Sequence, residues 1–165
     1  MTVVQQQPQV ESQVELLLEE LGLLLTVEET LTKVVLPKLV LELSDVELKQ
    51  VVREHLDETR GHAGRIKEAF LALGRAPTGR PALGLDGLRS EHDSTAPKVH
   101  PSLRGGVHCA AAMGTEHYEI NAYEAAIRLA ASLGAEDVER LLRANLEQEI
   151  GALGKLGEQA DRLAS

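Results

Sequence analysis

Apolar residues recur every three to four positions over long stretches of the chain, which is the spacing of a buried helical face. The first stretch predicts a helix over about 13–43, and Ser12 with Glu15 forms a capping-box pattern at its start. Pro37 removes a backbone donor within this stretch, so we expect a kink near Lys33 rather than an end. The apolar stripe of this helix consists of Leu17, Leu21, Leu24, Leu31 and Val35.

A second stripe predicts a helix over about 45–73. A capping box begins at Ser44, and Gly74 and Pro77 supply the signal that ends the helix. Ionisable residues share this stripe with apolar ones, which is unusual for a face that packs against other helices. The stripe consists of Val51, His55, Glu58, His62, Ile66 and Phe70.

A stretch rich in glycine and proline, about 75–103, separates these helices from two more, and it contains one predicted helical turn near 85–89. The third helix is predicted over about 103–132 and the fourth over about 135–163. Two hairpins joined by one long crossover are typical of ferritin-like four-helix bundles. The sequence therefore predicts an all-α protein with this connectivity.

The chain is predicted to form one domain. Residues 1–10 lack periodicity, so we interpret them as a loose tail and residues 11–165 as the bundle. Aromatic residues make up 2% of the sequence, which leaves leucine, valine and alanine to fill the core. Such a core is typical of close-packed helices.

The net charge of −9 and the isoelectric point near 5.2 argue against unspecific binding to nucleic acid or anionic membranes, because both draw affinity from clustered cationic residues. Metal cations are better partners for such a chain. The single cysteine, Cys109, excludes a disulfide within the chain, and no apolar run of about 20 residues suits a membrane helix. We therefore expect a cytoplasmic protein.

Several ionisable residues stand where the apolar stripes should continue. Carboxylates buried together without partners cost several kcal/mol each, so a cation has to compensate them or they must reach water. Carboxylates with one imidazole suit iron or manganese better than structural zinc. The candidates are Glu28 in the first helix, Glu58 and His62 in the second, Glu116 or Glu119 in the third, and Glu149 in the fourth.

The spacing of these residues favours a shared site. Glu28 and Glu58 are 30 residues apart, as are Glu119 and Glu149, which places each pair at matching heights across its own hairpin. His62 follows Glu58 by four positions and shares its helix face. The alternative is a solvated charged surface, because Glu28 has an acidic neighbour and Glu149 ends an acidic run.

Three segments resemble the YciE/YciF-type ferritin-like family of bacterial proteins. They are EHYEINAY (116–123), TVEETLTKVVLPKL (26–39) and EHLDETRGHAGRIKEAF (54–70), and they occur in the family's order within a match over about 15–160. The resemblance implies a ferritin-like fold, a dinuclear metal site, homodimers and a role in stress. Carried over by position, the residues facing the metal are Glu28, Glu58, His62, Glu119 and Glu149, with Glu116, His55 and Tyr123 close by.

The sequence departs from the family pattern at three places, one of which is Leu25, where the family often has tyrosine. Leu153 occupies a position where the family has an acidic residue, four after Glu149. One additional residue stands at Val34-Val35, before Leu36, and a π-bulge would absorb it.

Two functional hypotheses follow. The first is a non-haem protein with two iron or manganese ions, acting in the oxidative or general stress response. The second is a metal-free helical scaffold for dimerisation that has lost the site, which Leu153 favours. The sequence contains no nucleotide, haem or flavin motif.

Overall fold

One π-helical turn interrupts the first predicted helix. In the computed structural model, the N–H of Leu36 donates to the carbonyl of Leu31, five residues earlier, so this turn holds one residue more than an α-helical turn. The predicted π-bulge at Val34-Val35 is thereby confirmed, immediately before Pro37. The segments are α1 (Gln13–Thr30), the π-helical turn (Leu31–Val35) and α2 (Leu36–Glu42).

The remaining helices follow the predicted order. The structure describes residues 9–165, so residues 1–8 of the predicted tail lie outside the described part, while Gln9 and Val10 are exposed and precede α1. Among the described residues, no helix has both the length and the apolar character that crossing a membrane requires. The helices are α3 (Val46–Ala72), α4 (Leu83–Thr95), α5 (Arg104–Ser132) and α6 (Glu136–Ala164).

The helix ends have local causes. Asp45 rather than Ser44 caps α3, because its carboxylate accepts a hydrogen bond from the N–H of Leu48 at 2.9 Å. Gly74 and Gly134 follow α3 and α5 with φ angles of 69° and 65°, a left-handed conformation that glycine adopts without strain. The predicted hairpin turns are therefore confirmed.

The crossover contains more helix than expected. One turn was predicted near 85–89, whereas α4 spans 13 residues. Its apolar pattern is short because Leu85 is its one fully buried side chain, and glycines at 84 and 87 weaken the helical signal. The helix packs along α5 and covers one side of the bundle.

Four helices surround the core: α1 and α3 form one hairpin, α5 and α6 the other, and each hairpin contacts the other along its length. Leucines fill the ends of this interior and polar side chains its middle, so the helices hold the polar groups in fixed positions away from water. The largest fully buried apolar side chains include Leu17, Leu21, Leu24, Ile66 and Leu142.

Candidate metal centre

Six ionisable side chains converge in the middle of the bundle. Each is at most 5% exposed, and all four long helices contribute. They form the composition of a dinuclear carboxylate site, with four carboxylates and two imidazoles. The six are Glu28 of α1, His55 and His62 of α3, Glu116 and Glu119 of α5, and Glu149 of α6.

The first half of the cluster is built around His62. Its Nδ1 lies 2.7 Å from Oε1 of Glu149 and 3.4 Å from Oε2 of Glu28. One ligand atom from each of the three residues falls within 4.8 Å of the others, which is close enough for all three to reach one ion.

The second half is built around His55. Its Nε2 lies 3.1 Å from Oε1 of Glu116 and 4.0 Å from Oε2 of Glu149, and these three residues meet the same distance criterion. Glu149 therefore belongs to both halves and offers one oxygen to each. Such a carboxylate is placed to bridge two ions.

Unsatisfied polar atoms concentrate in this cluster. Among residues 9–165, ten buried side-chain nitrogen and oxygen atoms lack a hydrogen-bond partner, and nine of them belong to these six residues. Both oxygens of Glu119 are among the nine. Since buried polar groups are nearly always hydrogen-bonded and cost about 1–3 kcal/mol each when they are not, such a concentration requires compensation by protons or by a bound cation. Two divalent cations would neutralise four carboxylates, so the residues fit a dinuclear metal.

Hydrogen bonds behind His62 determine which of its ring nitrogens is free. Arg65, which can only donate, donates to Oε1 of Gln148, and this identifies that atom as the amide oxygen. The same oxygen lies 3.0 Å from Nε2 of His62, so Nε2 must donate to it. Nδ1 therefore faces Glu28 and Glu149, and when it is deprotonated its lone pair lies on the side that a metal ligand needs.

A second set of hydrogen bonds orients Glu28. The hydroxyl of Tyr123 donates to Oε1 of Glu28 and accepts from the amide of Asn145 at 2.9 Å. Oδ1 of Asn145 in turn accepts from Nε of Arg65 at 2.6 Å. Arg65 thus supports both His62 and Glu28 through intermediate side chains, while Oε2 of Glu28 stays unpaired.

The carboxylates change the proton affinity of both imidazoles. Burial lowers the pKa of His62, but Glu149 and Glu28 outweigh this effect and raise the pKa to about 10. For His55, burial is likewise outweighed by Glu116, and the pKa rises to about 9. Burial raises the pKa of Glu116 to about 8 against the opposing effect of His55.

The pKa values of the remaining carboxylates are shifted in both directions. Burial raises the pKa of Glu28 and of Glu119, and the nearby charge of Glu149 adds to both shifts. The pKa of Glu149 is lowered, because its contacts with the two histidines outweigh burial. Protons can therefore balance the cluster when no metal is bound, and a cation must compete with them for the same atoms.

Glu58 does not join either group. Its side chain is 30% exposed, and its oxygens lie 4.0 Å from Nδ1 of His55 and 3.9 Å from Nζ of Lys155. His55, which the family resemblance placed only close to the metal, takes the inner position. A signal for it exists in the sequence, since His55 and His62 are seven residues apart and hence lie on nearly the same helix face.

A cavity of about 80 Å³ opens beside the His55 half of the cluster, which is room for several water molecules. His55 and Glu116 line its inner end, and Ala152 of α6 lines it too. Leu153, the departure noted in the sequence, is half-buried and does not line the cavity. The apolar part of the wall includes Val34, Val35, Leu39, Val51, Leu88 and Ala112.

Comparison with known proteins agrees with the fold and with the resemblance seen in the sequence. Protein YciF of Escherichia coli K12 is 32% identical over 124 residues, which are 74% of this chain and 74% of that protein. The crystal structure of the E. coli stress protein YciF superposes with a TM-score of 0.87 at 26% identity, covering 94% of this chain and 98% of that one.

Two further solved structures share the fold. YcfI from Rhodopseudomonas palustris has a TM-score of 0.88 at 33% identity and covers 92% of this chain and 97% of that one. A protein from Xanthomonas campestris pv. campestris has a TM-score of 0.71 at 21% identity, covering 93% and 94% of the two chains. Residues 12–165 match the family described as a domain of unknown function, DUF892. The chain belongs to this family, which includes YciF.

Proposed function

We propose that this protein is a non-haem dimetal protein that binds two iron or manganese ions and acts in the oxidative or general stress response. The observation that carries the proposal is the concentration of unpaired polar atoms on six side chains from four helices. Oxygen donors with two imidazoles suit these metals, and Cys109, the one cysteine of the sequence, belongs to neither candidate metal group.

Each half of the cluster would hold one ion. Glu28 and His62 would bind the first, His55 and Glu116 the second, and Glu149 would bridge them. Glu119, with both oxygens free, is available to either ion, and Glu58 can approach the second from the cavity wall. When bound, a pair of such ions supplies electrons for the reduction of a small oxidant.

The chain itself contributes three things to such chemistry. Tyr123 and Gln148 hold Glu28 and His62 in fixed orientations, so little reorganisation accompanies binding. The six side chains are at most 5% exposed, so the surrounding core keeps bulk water away from them. The cavity beside His55 leaves one approach for a small molecule. The proposed stress role rests on the description of the relative YciF as a stress protein. We also expect the protein to be a cytoplasmic homodimer.

Elemental analysis of protein purified without added metal tests the proposal. About two iron or manganese ions per chain are expected in the native protein. Glu149→Gln should remove most of this metal, whereas Glu147→Gln, an exposed acid on the same helix, should not. Less than about 0.2 ions per folded chain, also after incubation with Fe(II) or Mn(II), would overturn the proposal.

The alternative is a metal-free scaffold, and the proton balance of the cluster favours it. His55 and His62 can carry the charges that compensate their carboxylate neighbours without any metal. A scaffold would keep its fold and its dimer in the Glu149→Gln variant and would bind no metal in either form.

A further inference from the structure

Two histidines face each other at the outer end of the cavity. Nε2 of His92, on α4, lies 2.9 Å from Nδ1 of His108, on α5. His108 is 6% exposed, and both rings line the cavity whose inner end is formed by His55 and Glu116. The pair lies outside both groups of the buried cluster.

The contacts of His92 determine the protonation of this pair. Nδ1 of His92 lies 3.2 Å from Oδ1 of Asp93, and a carboxylate can only accept, so Nδ1 carries a proton. In the neutral ring, Nε2 therefore directs a lone pair at His108. At 2.9 Å the facing nitrogens need one proton or one cation between them. Burial and the neighbouring His92 lower the pKa of His108, which favours its neutral form.

We propose that His92 and His108 form an outer site for a divalent transition-metal ion, from which the ion passes along the cavity to the buried cluster. Asp93 accepts a hydrogen bond from Nδ1 of His92, so Nε2 faces His108, and a carboxylate in this place is the usual support of a metal-binding histidine. Two metal–nitrogen bonds of about 2.0–2.1 Å in tetrahedral geometry place the nitrogens about 3.3 Å apart. From their present distance of 2.9 Å the nitrogens need to separate by a few tenths of an ångström, and the rings must turn until both lone pairs meet at the ion. The proton on Nδ1 of His108 must at the same time move to its Nε2 or leave the pair.

The composition of the cavity supports transfer inwards. At its inner end, both ring nitrogens of His55 and Oε2 of Glu116 lack hydrogen-bond partners. Glu42 and Glu58 line the wall and can coordinate an ion on the way. Two protein nitrogens hold an ion less firmly than three or four ligands do, so the outer site can release it.

The cationic side chains around the cavity are already paired. Lys38 lies 3.1 Å from Asp93 and 3.8 Å from Glu42, and Lys155 lies 3.6 Å from Glu54 and 3.9 Å from Glu58. Arg89 lies 3.6 Å from Asp86. These pairs reduce the repulsion that an arriving cation would meet.

Zinc titration monitored by NMR of the histidine rings tests the outer site directly. The ring signals of His92 and His108 should shift on addition of Zn(II), both in the native protein and in Glu149→Gln. Signals of the exposed His117, on the same helix, should stay unchanged. Unchanged signals of His92 and His108 would overturn the proposal, whether or not the buried cluster takes metal.

The transfer step rests on the proposed function and is tested by the rate of Co(II) uptake, followed by absorbance. His92→Asn/His108→Asn should slow uptake about tenfold or more and leave the final amount of buried Co(II) unchanged, while His117→Asn should match the native protein. Equal rates in all three proteins would overturn the transfer role. No Co(II) at the buried cluster in any of them would overturn the proposed function and the transfer role together, and the NMR titration would still decide the outer site.

Discussion

Oε1 of Glu149 lies 2.7 Å from Nδ1 of His62, and Oε2 of the same carboxylate lies 4.0 Å from Nε2 of His55. In the described part of the chain, Glu149 is the residue shared by both candidate metal groups. A change at this residue should therefore affect both halves, whereas a change at Glu28 should affect only one.

The first prediction compares these two glutamates. Glu149→Gln should lower the metal content from about two ions per chain to well under one, because each ion loses an anionic ligand. Glu28→Gln should leave about one ion, held by His55, Glu116 and Glu149. Elemental analysis after dialysis measures both, with Glu147→Gln as the exposed control. Equal metal loss in the two buried variants would contradict two separable halves.

Arg65 is predicted to act as a positioning residue. Arg65→Met removes the donor that orients Gln148 and Asn145, so His62 loses its preferred tautomer. Zinc affinity should fall about 10- to 100-fold, the usual cost of losing such support. Arg60→Met, an exposed arginine on the same helix, is the control.

Chelator competition measures the affinity of these variants, and ¹⁵N NMR of the zinc-loaded protein reports which nitrogen of His62 carries the proton. If the His62 ring signals shift in Arg65→Met and not in Arg60→Met, Arg65 acts by positioning His62 and not through a general loss of stability. If Arg65→Met leaves both the zinc affinity and the tautomer of His62 unchanged, Arg65 is not a positioning residue.

Much of the fold could be predicted because the stripes of α1, α3, α5 and α6 are long. The helix bounds follow from glycines and caps that act locally, as at Gly74 and Gly134. The length of α4 could not be predicted, because a helix with one buried leucine shows no hydrophobic periodicity.

The candidate site was predictable only in part. Glu28 and Glu149 stand out as charges on apolar stripes. Glu116 and Glu119 share a helix face and are both buried, but of the two only Glu116 belongs to one of the candidate metal groups. Position 58 lies about 60° around the helix from position 55, whereas position 62 lies about 20° from it. This rotation turns Glu58 towards Lys155 and away from the interior. The hydrogen bonds of Arg65 join helices α3 and α6, and no local pattern reports such a contact.

A new carboxylate on α6 should act differently at two adjacent positions. Ala152 lines the cavity beside His55, so Ala152→Asp should strengthen metal binding at that half and destabilise the metal-free protein through an added buried charge. Leu153→Asp, at the position where the family resemblance places an acid, should change neither, because Leu153 does not line the cavity. Isothermal titration with Co(II) and thermal unfolding check both. Tighter binding in Leu153→Asp alone would show that α6 is rotated relative to this structure.

The metal-free protein should lose stability as the pH rises from about 6.5 to about 10. The pKa values of His55 and His62, about 9 and about 10 in the folded state, lie above the 6.5 of an unperturbed histidine. Their protonated forms therefore stabilise the fold fully below pH 6.5, and this contribution is lost as the pH rises through the folded values. The pKa of Glu116 is raised from 4.5 to about 8. Its protonated form therefore also stabilises the fold, and this contribution is lost as the pH rises from about 4.5 to about 8.

Thermal unfolding of chelator-treated protein at several pH values measures this loss, and a decrease of several degrees in Tm is expected. His62→Gln should show a shallower decrease in Tm, because it lacks one of the two histidines whose deprotonation causes the loss. Repulsion among the other acidic groups is present in both proteins and does not account for the difference. A Tm that is constant or rising over this range would contradict the raised histidine pKa values.

Removal of metal should lower Tm without unfolding the protein. Burial contributes roughly 25 cal/mol per Å² of apolar surface, and the long contacts between four helices bury far more of it than one metal cluster could replace. Metal adds stability because it binds the folded state selectively, by an amount that grows with the ratio of free metal to its dissociation constant. Circular dichroism of stripped and reloaded samples should therefore show equal helix content at 25 °C and a Tm several degrees higher with metal. Complete unfolding of the stripped protein would refute the burial argument, whereas superimposable melting curves would show that the native state binds no metal and would favour the scaffold.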